Sequence, residues 1–299
     1  MSNNDGHSTN NKHAGFSESW LALREPADHR ARNPTLNNQL TEWFRQQESH
    51  NILELGAGTG SNLRYLMPQL GHDQHWLLLD NDAGLFHRLP DLLQYWASTH
   101  DARFDNSNGI CRIEHDSFSA TIEHRILDLA SEVEHIPMGD IQLLTASALL
   151  DLTSANWLQI ISTKVYKCKC ACLFALNYNG KIQWHAELEA DSVVSSLLNQ
   201  HQLNEKGFGL ALGPEAGHFF TAALRNLGRQ VITGESDWVI RPHDRELQLA
   251  IIDGWSPSAV EQDEHQEELI SQWHLMRKQA IEQGLSTLTV GHIDVLSIP

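Results

Sequence analysis

Short apolar segments alternate with longer amphipathic segments along most of this chain. The apolar segments have the length of β-strands. They are residues 52–55, 75–80, 120–123, 141–146, 167–177, 230–240 and 285–298. Between them, stretches such as residues 61–70 and 85–100 carry apolar positions at helical spacing. This alternation predicts an α/β protein with a largely parallel sheet between layers of helices.

The first apolar segment runs directly into a turn with glycine at alternate positions. Gly56, Gly58 and Gly60 follow residues 52–55, and a helix is predicted to begin at Ser61. Glycine permits positive φ and leaves no side chain between the backbone and a ligand. The helix that follows directs free N–H groups and a partial positive charge at the same place. The turn therefore predicts a site for a nucleotide-like cofactor.

The sequence E-L-G-A-G-T-G-S-N over residues 54–62 closely resembles motif I of the class I S-adenosylmethionine (SAM)-dependent methyltransferases. Dinucleotide-binding loops instead continue as G-x-G-x-x-G or G-x-G-x-x-A, whereas the sixth position here is Ser61. The resemblance covers about residues 33–299. It implies a Rossmann-like, seven-stranded, doubly wound sheet with an antiparallel last strand and helical insertions. It also implies SAM as the cofactor and methyl transfer as the activity.

We expect a single domain over residues 15–299, after a disordered lead at residues 1–14. Helical additions are expected on the substrate side, at residues 181–213 and 241–284. In the resembled family the segment before the first core helix often folds over the cofactor, which implies a lid-like role for residues 16–33.

Asp28, Arg30 and Arg32 are the candidate residues of this lid. An arginine here is able to form a forked pair with the methionine carboxylate of SAM. The alternative is that Arg30 and Arg32 are solvated charges at the entry of a helix.

Two acidic residues after the loop extend the resemblance. Asp80 ends the second strand about 20 residues after the glycines, where a carboxylate accepts ribose hydroxyls; the alternative is a helix cap. Asp128 follows the third strand, where the family's aspartate accepts a hydrogen bond from the adenine amino group; the alternative is a surface turn. The predicted cofactor-binding residues are Arg32, Glu54, Gly56, Ala57, Gly58, Gly60, Asn62, Asp80, Asn81, Asp128, Leu129 and Ser147.

Catalytic residues are harder to predict than cofactor-binding residues. Methyl transfer from a sulfonium depends mainly on alignment of donor and acceptor, and it needs a base only when the acceptor must lose a proton. Asp151 and His201 are the two candidate bases, with a helix N-cap as the alternative for Asp151. A glycine-rich loop at residues 206–213 is expected to cover the substrate.

Composition favours a small-molecule acceptor, methylated at oxygen, nitrogen or carbon. The chain has 38 acidic against 21 basic residues and a formal charge of −17, which argues against binding to phosphate backbones. The chain also lacks the N-P-P-Y or D-P-P-Y tetrapeptide of family members that methylate exocyclic base amines or glutamine amides. A methyltransferase acting on RNA or protein, a non-catalytic SAM- or nucleotide-binding protein, and an NAD-dependent oxidoreductase remain as alternatives.

The remaining expectations concern cysteines and environment. Cys168, Cys170 and Cys172 are predicted to alternate along one strand and to share one face as small buried residues. They lack the paired C-x-x-C spacing of structural zinc sites, so no metal is predicted. The apolar segments are shorter than the ~18–20 residues of a membrane span, so no membrane partner is predicted. We therefore expect a reduced, cytoplasmic protein, with its oligomeric state left open.

Overall fold

The computed structural model describes residues 16–299, so the predicted lead at residues 1–14 lies outside the described residues. Within that part of the chain a ten-stranded mixed sheet forms. Its strands are β1 (Asn51–Leu55), β2 (His72–Asp80), β3 (Arg103–Ser107), β4 (Ile110–His115), β5 (Phe118–Ile126), β6 (Leu143–Ser147), β7 (Ala171–His185), β8 (Gln230–Glu235), β9 (Trp238–Ile240) and β10 (Thr287–Ile298). The helices are α1 (Glu18–Ala31), α2 (Pro34–Phe44), α3 (Ser61–Leu70), α4 (Ala83–Thr99), α5 (Ala155–Cys168), α6 (Asp191–His201), α7 (Ala216–Asn226), α8 (Arg245–Gln262) and α9 (Glu267–Glu282).

The strand order confirms the predicted Rossmann-like sheet. Its central part runs β5-β2-β1-β6-β7-β10-β8, with β1 parallel to β2 and β6. The last strand, β10, is antiparallel to both β7 and β8, as predicted. A hairpin of β3 and β4 extends the sheet beyond β5, and the short β9 pairs with β10, so the sheet has three strands more than the predicted seven.

The order of the strands reverses direction at β1, because β2 lies on one side of it and β6 on the other. Ligands of open α/β sheets bind beyond the carboxyl ends of the strands at such a switch point. Leu55 ends β1 and Ser147 ends β6 at this edge, so the glycine turn after β1 enters the crevice that the topology creates.

Three apolar clusters hold the layers together. One face of the sheet packs against α2, α3 and α4, and the other packs against α5 and α7. A third cluster joins α1, α6, α8 and α9 to the distal part of β7 and to β9 and β10. Trp273 of α9 is only 1% exposed within this third cluster.

Three sequence predictions are wrong in detail. Of the three cysteines predicted to share a strand, only Cys172 lies in one: Cys168 ends α5, Lys169 adopts a left-handed conformation that caps the helix, and Cys170 precedes β7, which begins at Ala171. The predicted strand at residues 230–240 is two strands, because Ser236 and Asp237 turn away to bond the backbone of His292. The addition expected at residues 181–213 does not begin as a separate helical insertion, because β7 continues without a break to His185.

Candidate functional site

The glycine turn forms a tight loop at the carboxyl end of β1. Gly56, Gly58 and Gly60 all have positive φ, at 62°, 53° and 81°. A Cβ on Gly60 would lie 2.7 Å from Cδ1 of Leu89, so both backbone conformation and space require glycine there. Ala57, buried between the first two glycines, donates its N–H to the carbonyl of Leu79. The loop is therefore fixed against the end of β2.

Asp80 braces this loop from the end of β2. Its Oδ2 accepts the N–H of Gly58 at 2.8 Å and its Oδ1 accepts the N–H of Asp82 at 3.0 Å. Burial raises the pKa of Asp80 above its ordinary value, although these backbone bonds oppose the rise. A carboxylate offers about four lone-pair positions, so two remain for ligand hydroxyls. The next residue, Asn81, is exposed at the same edge.

Arg32 lies beneath α1 beside the loop. It is 5% exposed, and its Nη1 donates to Oδ1 of Asn62 at 2.7 Å. The guanidinium also lies over the ring of Tyr65, 4.5 Å from the centroid. Its Nε and Nη2 have no hydrogen-bond partner. Because arginine carries five N–H donors in a rigid fork, the unused donors form a ready acceptor site for a carboxylate.

Glu54 lies on β1 next to these groups and is 1% exposed. Its Oε2 has no hydrogen-bond partner. Burial raises the pKa of Glu54 from 4.5 to about 8, against the opposing charges of Arg32 and Arg64. We call Arg32, Glu54 and Asn62 the loop cluster. It contains an unused cationic donor and an unused acidic oxygen within one buried region.

Helix α1 covers the loop and fixes this cluster. Glu25 pairs with Arg64 of α3, whose Nη1 donates to the carbonyl of Thr59. Nε2 of His29 lies 3.2 Å from Oγ of Ser61, at the start of α3. Leu21 Cδ1 would lie 3.3 Å from a Cβ on Gly58. The segment predicted to be lid-like thus lies directly on the glycine turn.

The lid candidates differ in their surroundings. Arg32 is buried, so a solvated helix-entry charge is the wrong interpretation for it. The side chain of Arg30 is 49% exposed and pairs with Asp244 at 2.9 Å. Asp28 is buried and pairs with Arg24 within α1.

Asp128 and its neighbours lie next to the end of β2, because Leu127 donates its N–H to the carbonyl of Asp80. Asp128 accepts hydrogen bonds from the N–H of Ala130 and from Oγ of Ser131, and the latter bond holds its pKa below the ordinary value. Leu129 is buried, and its carbonyl accepts the indole N–H of Trp157 at 2.7 Å. Asp128 and Leu129 therefore lie near the carboxyl end of β2. The Asp128 carboxylate is hydrogen-bonded within its own turn.

Ser147 and Asp151 lie beyond the end of β6. Ser147 pairs with Ala175 of β7, and Asp151 lies in a short 3-10 turn, Leu150–Leu152. Helix α5 is capped by Ser154, so the N-cap interpretation of Asp151 is wrong. Asp151 is 8% exposed, and its Oδ1 has no partner. Burial raises the pKa of Asp151 to about 6.

His201 ends α6, away from the glycine turn. Its Nε2 is 3.4 Å from Oε2 of Glu261, and its Nδ1 is 3.2 Å from Nζ of Lys206. The predicted cover loop follows it and reaches the Asp151 turn, where Leu212 donates its N–H to the carbonyl of Thr153 at 2.9 Å. The structure thus brings the loop, but not the imidazole of His201, next to the turn of Asp151.

Sequence reasoning missed the side chains near Asp151, which are Arg24 and Tyr178, and it missed His292, which packs against Tyr178. Arg24 of α1, Tyr178 of β7 and His292 of β10 are distant in sequence and carry no local motif. His292 is paired with Tyr178 only through the antiparallel register of β10 and β7. Burial lowers the pKa of His292 to about 3, so its imidazole is neutral. The unusual sequence feature that could have indicated this region was a histidine within the apolar last strand.

Other surface features lie outside this crevice. A depression of about 380 Å³ is lined by residues such as Trp43 and Cys168, and one of about 300 Å³ by residues such as Ala27 and Asp244. Within residues 16–299, no three His, Cys, Asp or Glu side chains are grouped so that they could hold a metal ion. Among the helices of the same part, none combines the length and the apolarity needed to cross a bilayer.

No protein-family model matches the sequence, and no curated protein matches it either. The chain is similar to a SAM-dependent methyltransferase from Thiobacillus denitrificans in complex with S-adenosyl-L-homocysteine, with 13% identity, a TM-score of 0.43, and coverage of 96% of this chain and 100% of that chain. It is also similar to a cyclopropane synthase from Mycobacterium tuberculosis, with 10% identity, a TM-score of 0.47 and coverage of 94% of each chain. A third similarity is to a cyclopropane-fatty-acyl-phospholipid synthase-like protein from Lactobacillus casei, with 13% identity, a TM-score of 0.47 and coverage of 92% of each chain.

Proposed function

We propose that this protein is a SAM-dependent methyltransferase of class I that methylates a small-molecule acceptor. The observation that carries the proposal is the loop cluster beside the glycine turn. Arg32 has two nitrogens whose N–H groups are unused, and Glu54 has one unused oxygen. A ligand with an α-amino acid end satisfies both, because its carboxylate accepts from Arg32 and its ammonium donates to Glu54. SAM has such an end, joined to a nucleoside.

The same cluster argues against a dinucleotide. A pyrophosphate at the loop needs N–H donors and positive charge, whereas Glu54 and Asp80 place two carboxyl groups beside it. The start of α3 is also covered by His29, which bonds Ser61. The geometry therefore favours a cofactor with a zwitterionic end over NAD.

The remaining cofactor contacts follow from the positions of the side chains. Asp80 keeps two acceptor positions for ribose hydroxyls. Asn81, Asp128 and Leu129 are proposed to contact the adenine, and Ser147 is proposed to lie near the reacting end of SAM. Bound SAM supplies an electrophilic methyl group on a sulfonium. The protein contributes binding, alignment and exclusion of water, for which α1 is the proposed lid.

For the acceptor side, Asp151 is the proposed base or orienting group. It is buried near the end of β6, and the pKa of about 6 leaves it ionised at neutral pH. His201 contacts Lys206 at the base of the cover loop, so its proposed role is to act through that loop. The proposal of a small-molecule acceptor is supported by the formal charge of −17, which disfavours RNA.

Titration calorimetry with SAM, S-adenosylhomocysteine and NAD tests the proposal. We expect micromolar binding of the two adenosyl ligands, no NAD binding, and loss of at least tenfold in affinity in Asp80→Ala. Asp82→Ala is the matched control, because Asp82 caps α4 through the N–H groups of Gly84 and Leu85. It should lose stability but keep the affinity within about threefold. Binding of NAD without the adenosyl ligands would overturn the proposal.

A non-catalytic SAM-binding protein is the second candidate. Such a protein would make the same cofactor contacts, but it would not need an ionised acid with an unpartnered oxygen beyond the end of β6. The buried Oδ1 of Asp151 therefore favours an enzyme. An acceptor screen that follows S-adenosylhomocysteine release separates the two, because a binding protein gives none with any acceptor.

A further inference from the structure

A second polar cluster lies between α1, the Asp151 turn and strands β7, β9 and β10. We call it the acceptor cluster. Its members are Arg24, Asp28, Asp151, Tyr178, Trp238 and His292. The rings of Tyr178 and His292 are 6.2 Å apart, and those of His292 and Trp238 are 5.2 Å apart. Burial and the nearby charge of Asp151 raise the pKa of Tyr178, which places the acid at the same cluster.

The charges of this cluster do not balance. Arg24 pairs with Asp28, with Nε 2.9 Å from Oδ2, and the indole of Trp238 donates to Oδ1 of Asp28 at 3.0 Å. His292 is neutral. Among the six members, Asp151 is therefore the charge left over. The neighbouring acid Asp237 is not an excess charge, because it pairs with Lys181 at 2.7 Å.

Two buried polar atoms of the cluster lack partners. They are Oδ1 of Asp151, on a residue 8% exposed, and Nδ1 of His292, on a residue 5% exposed. A buried polar atom without a partner is unfavourable, because its lost hydrogen bonds to water are not replaced. A ligand that donates hydrogen bonds and carries positive charge would satisfy Asp151 and would balance its charge.

We propose that the acceptor cluster binds a protonated amine and that this amine is the acceptor of the enzyme. Asp151 would take one proton from the ammonium, and the freed nitrogen lone pair would then accept the methyl group as the carbon–sulfur bond breaks and S-adenosylhomocysteine leaves. This inference rests on the proposed function and specifies its substrate class. The ammonium group donates to Oδ1 of Asp151, and the nearby ring of Tyr178 contributes to stabilising its charge. The ring of Trp238 is already covered by the guanidinium of Arg24, 5.1 Å from its centroid. A carboxylate would be repelled by Asp151, since Arg24 is already engaged by Asp28. An alcohol would satisfy the oxygen but leave the charge unbalanced.

The test uses three probes of matched shape: benzylamine, benzyl alcohol and benzoate. Binding to the full chain is measured by calorimetry, with and without saturating S-adenosylhomocysteine. We expect the amine to bind at least about tenfold more tightly than either other probe. Asp151→Asn should remove this preference while S-adenosylhomocysteine still binds with unchanged affinity. Asp237→Asn is the matched control and should keep the preference, because Asn retains an oxygen for the His292 N–H.

The outcomes separate the two proposals. If S-adenosylhomocysteine does not bind, the proposed function fails, whatever the probes do. If it binds but the alcohol or benzoate equals the amine, or no amine binding occurs at millimolar concentrations, the amine proposal is overturned. A preference for the amine that survives in Asp151→Asn would overturn it as well, because the binding would then not depend on this acid.

Discussion

The loop cluster and the acceptor cluster both contain a buried acid with an unused oxygen next to an arginine, and they differ in what that arginine does. Arg32 keeps two free donors, whereas Arg24 is bonded through Nε and Nη2 to Asp28. The first cluster therefore offers opposite charges to a zwitterion, and the second offers one negative charge to a cation. The pairing of a single arginine thus decides which ligand each region suits.

Removal of each arginine should give the largest difference between the clusters. Arg32→Met removes two charge-assisted hydrogen bonds to the cofactor, which we expect to cost about 100-fold in S-adenosylhomocysteine affinity (~2.7 kcal/mol). Arg24→Met breaks a buried ion pair instead, so it should lower the free energy of unfolding by about 3 kcal/mol and change the affinity by less than about threefold. Calorimetry and denaturant unfolding of both variants measure these effects.

Arg30→Met is the control for Arg32→Met, because Arg30 is exposed and pairs at the surface with Asp244. It should change neither the S-adenosylhomocysteine affinity nor the free energy of unfolding appreciably. Equal losses of affinity in the Arg32 and Arg24 variants would contradict the distinction between the clusters.

Glu54 should make cofactor binding depend on pH, and Asp151 should not. The free site holds Glu54 protonated below its pKa of about 8, whereas an ammonium ligand favours the ionised form. Binding at pH 6–7.5 therefore releases a proton, and the affinity should rise about tenfold over that interval. Glu54→Gln should bind about 30-fold more weakly at pH 7.5, with no rise.

Calorimetry in two buffers of different ionisation enthalpy measures the released proton directly. Asp151→Asn should release the same number of protons as the unaltered protein. If Glu54→Gln still releases a proton, another group titrates in the cofactor site and the assignment to Glu54 is wrong.

Local patterns predicted the loop cluster far better than the acceptor cluster. Gly60 is required by its own φ and by Leu89 one helix away, and Glu54 and Asn62 lie within the same short motif. By contrast, His292 reaches Tyr178 only through the antiparallel register of β10 and β7. Pairing over such a distance depends on the whole sheet, so no local pattern indicates it.

One strand prediction and one alternative interpretation were wrong, both at the end of a helix. Apolar alternation around Cys168 indicated a strand, but the preceding helix continues to that residue and ends at Lys169 in the left-handed conformation. For Asp151 the alternatives were a base and a helix cap. Ser154, three residues later, supplies the cap. The sequence permits either residue as the cap, and only the structure distinguishes them.

The smallest predicted effect concerns stability and separates the two acids by pH. Both have folded-state pKa values above their ordinary values, so each destabilises the fold as pH rises from its ordinary pKa to its folded pKa. These intervals are 3.8 to about 6 for Asp151 and 4.5 to about 8 for Glu54. Relative to the unaltered protein, Asp151→Asn should therefore gain about 1 kcal/mol in free energy of unfolding between pH 4 and pH 6, and nothing further at higher pH. The gain is smaller than the full pKa shift implies, because the buried amide offsets part of it. Glu54→Gln should continue to gain up to pH 8. Denaturant unfolding at several pH values measures both gains, and a common end point would mean that the two acids titrate as one coupled group rather than in separate clusters.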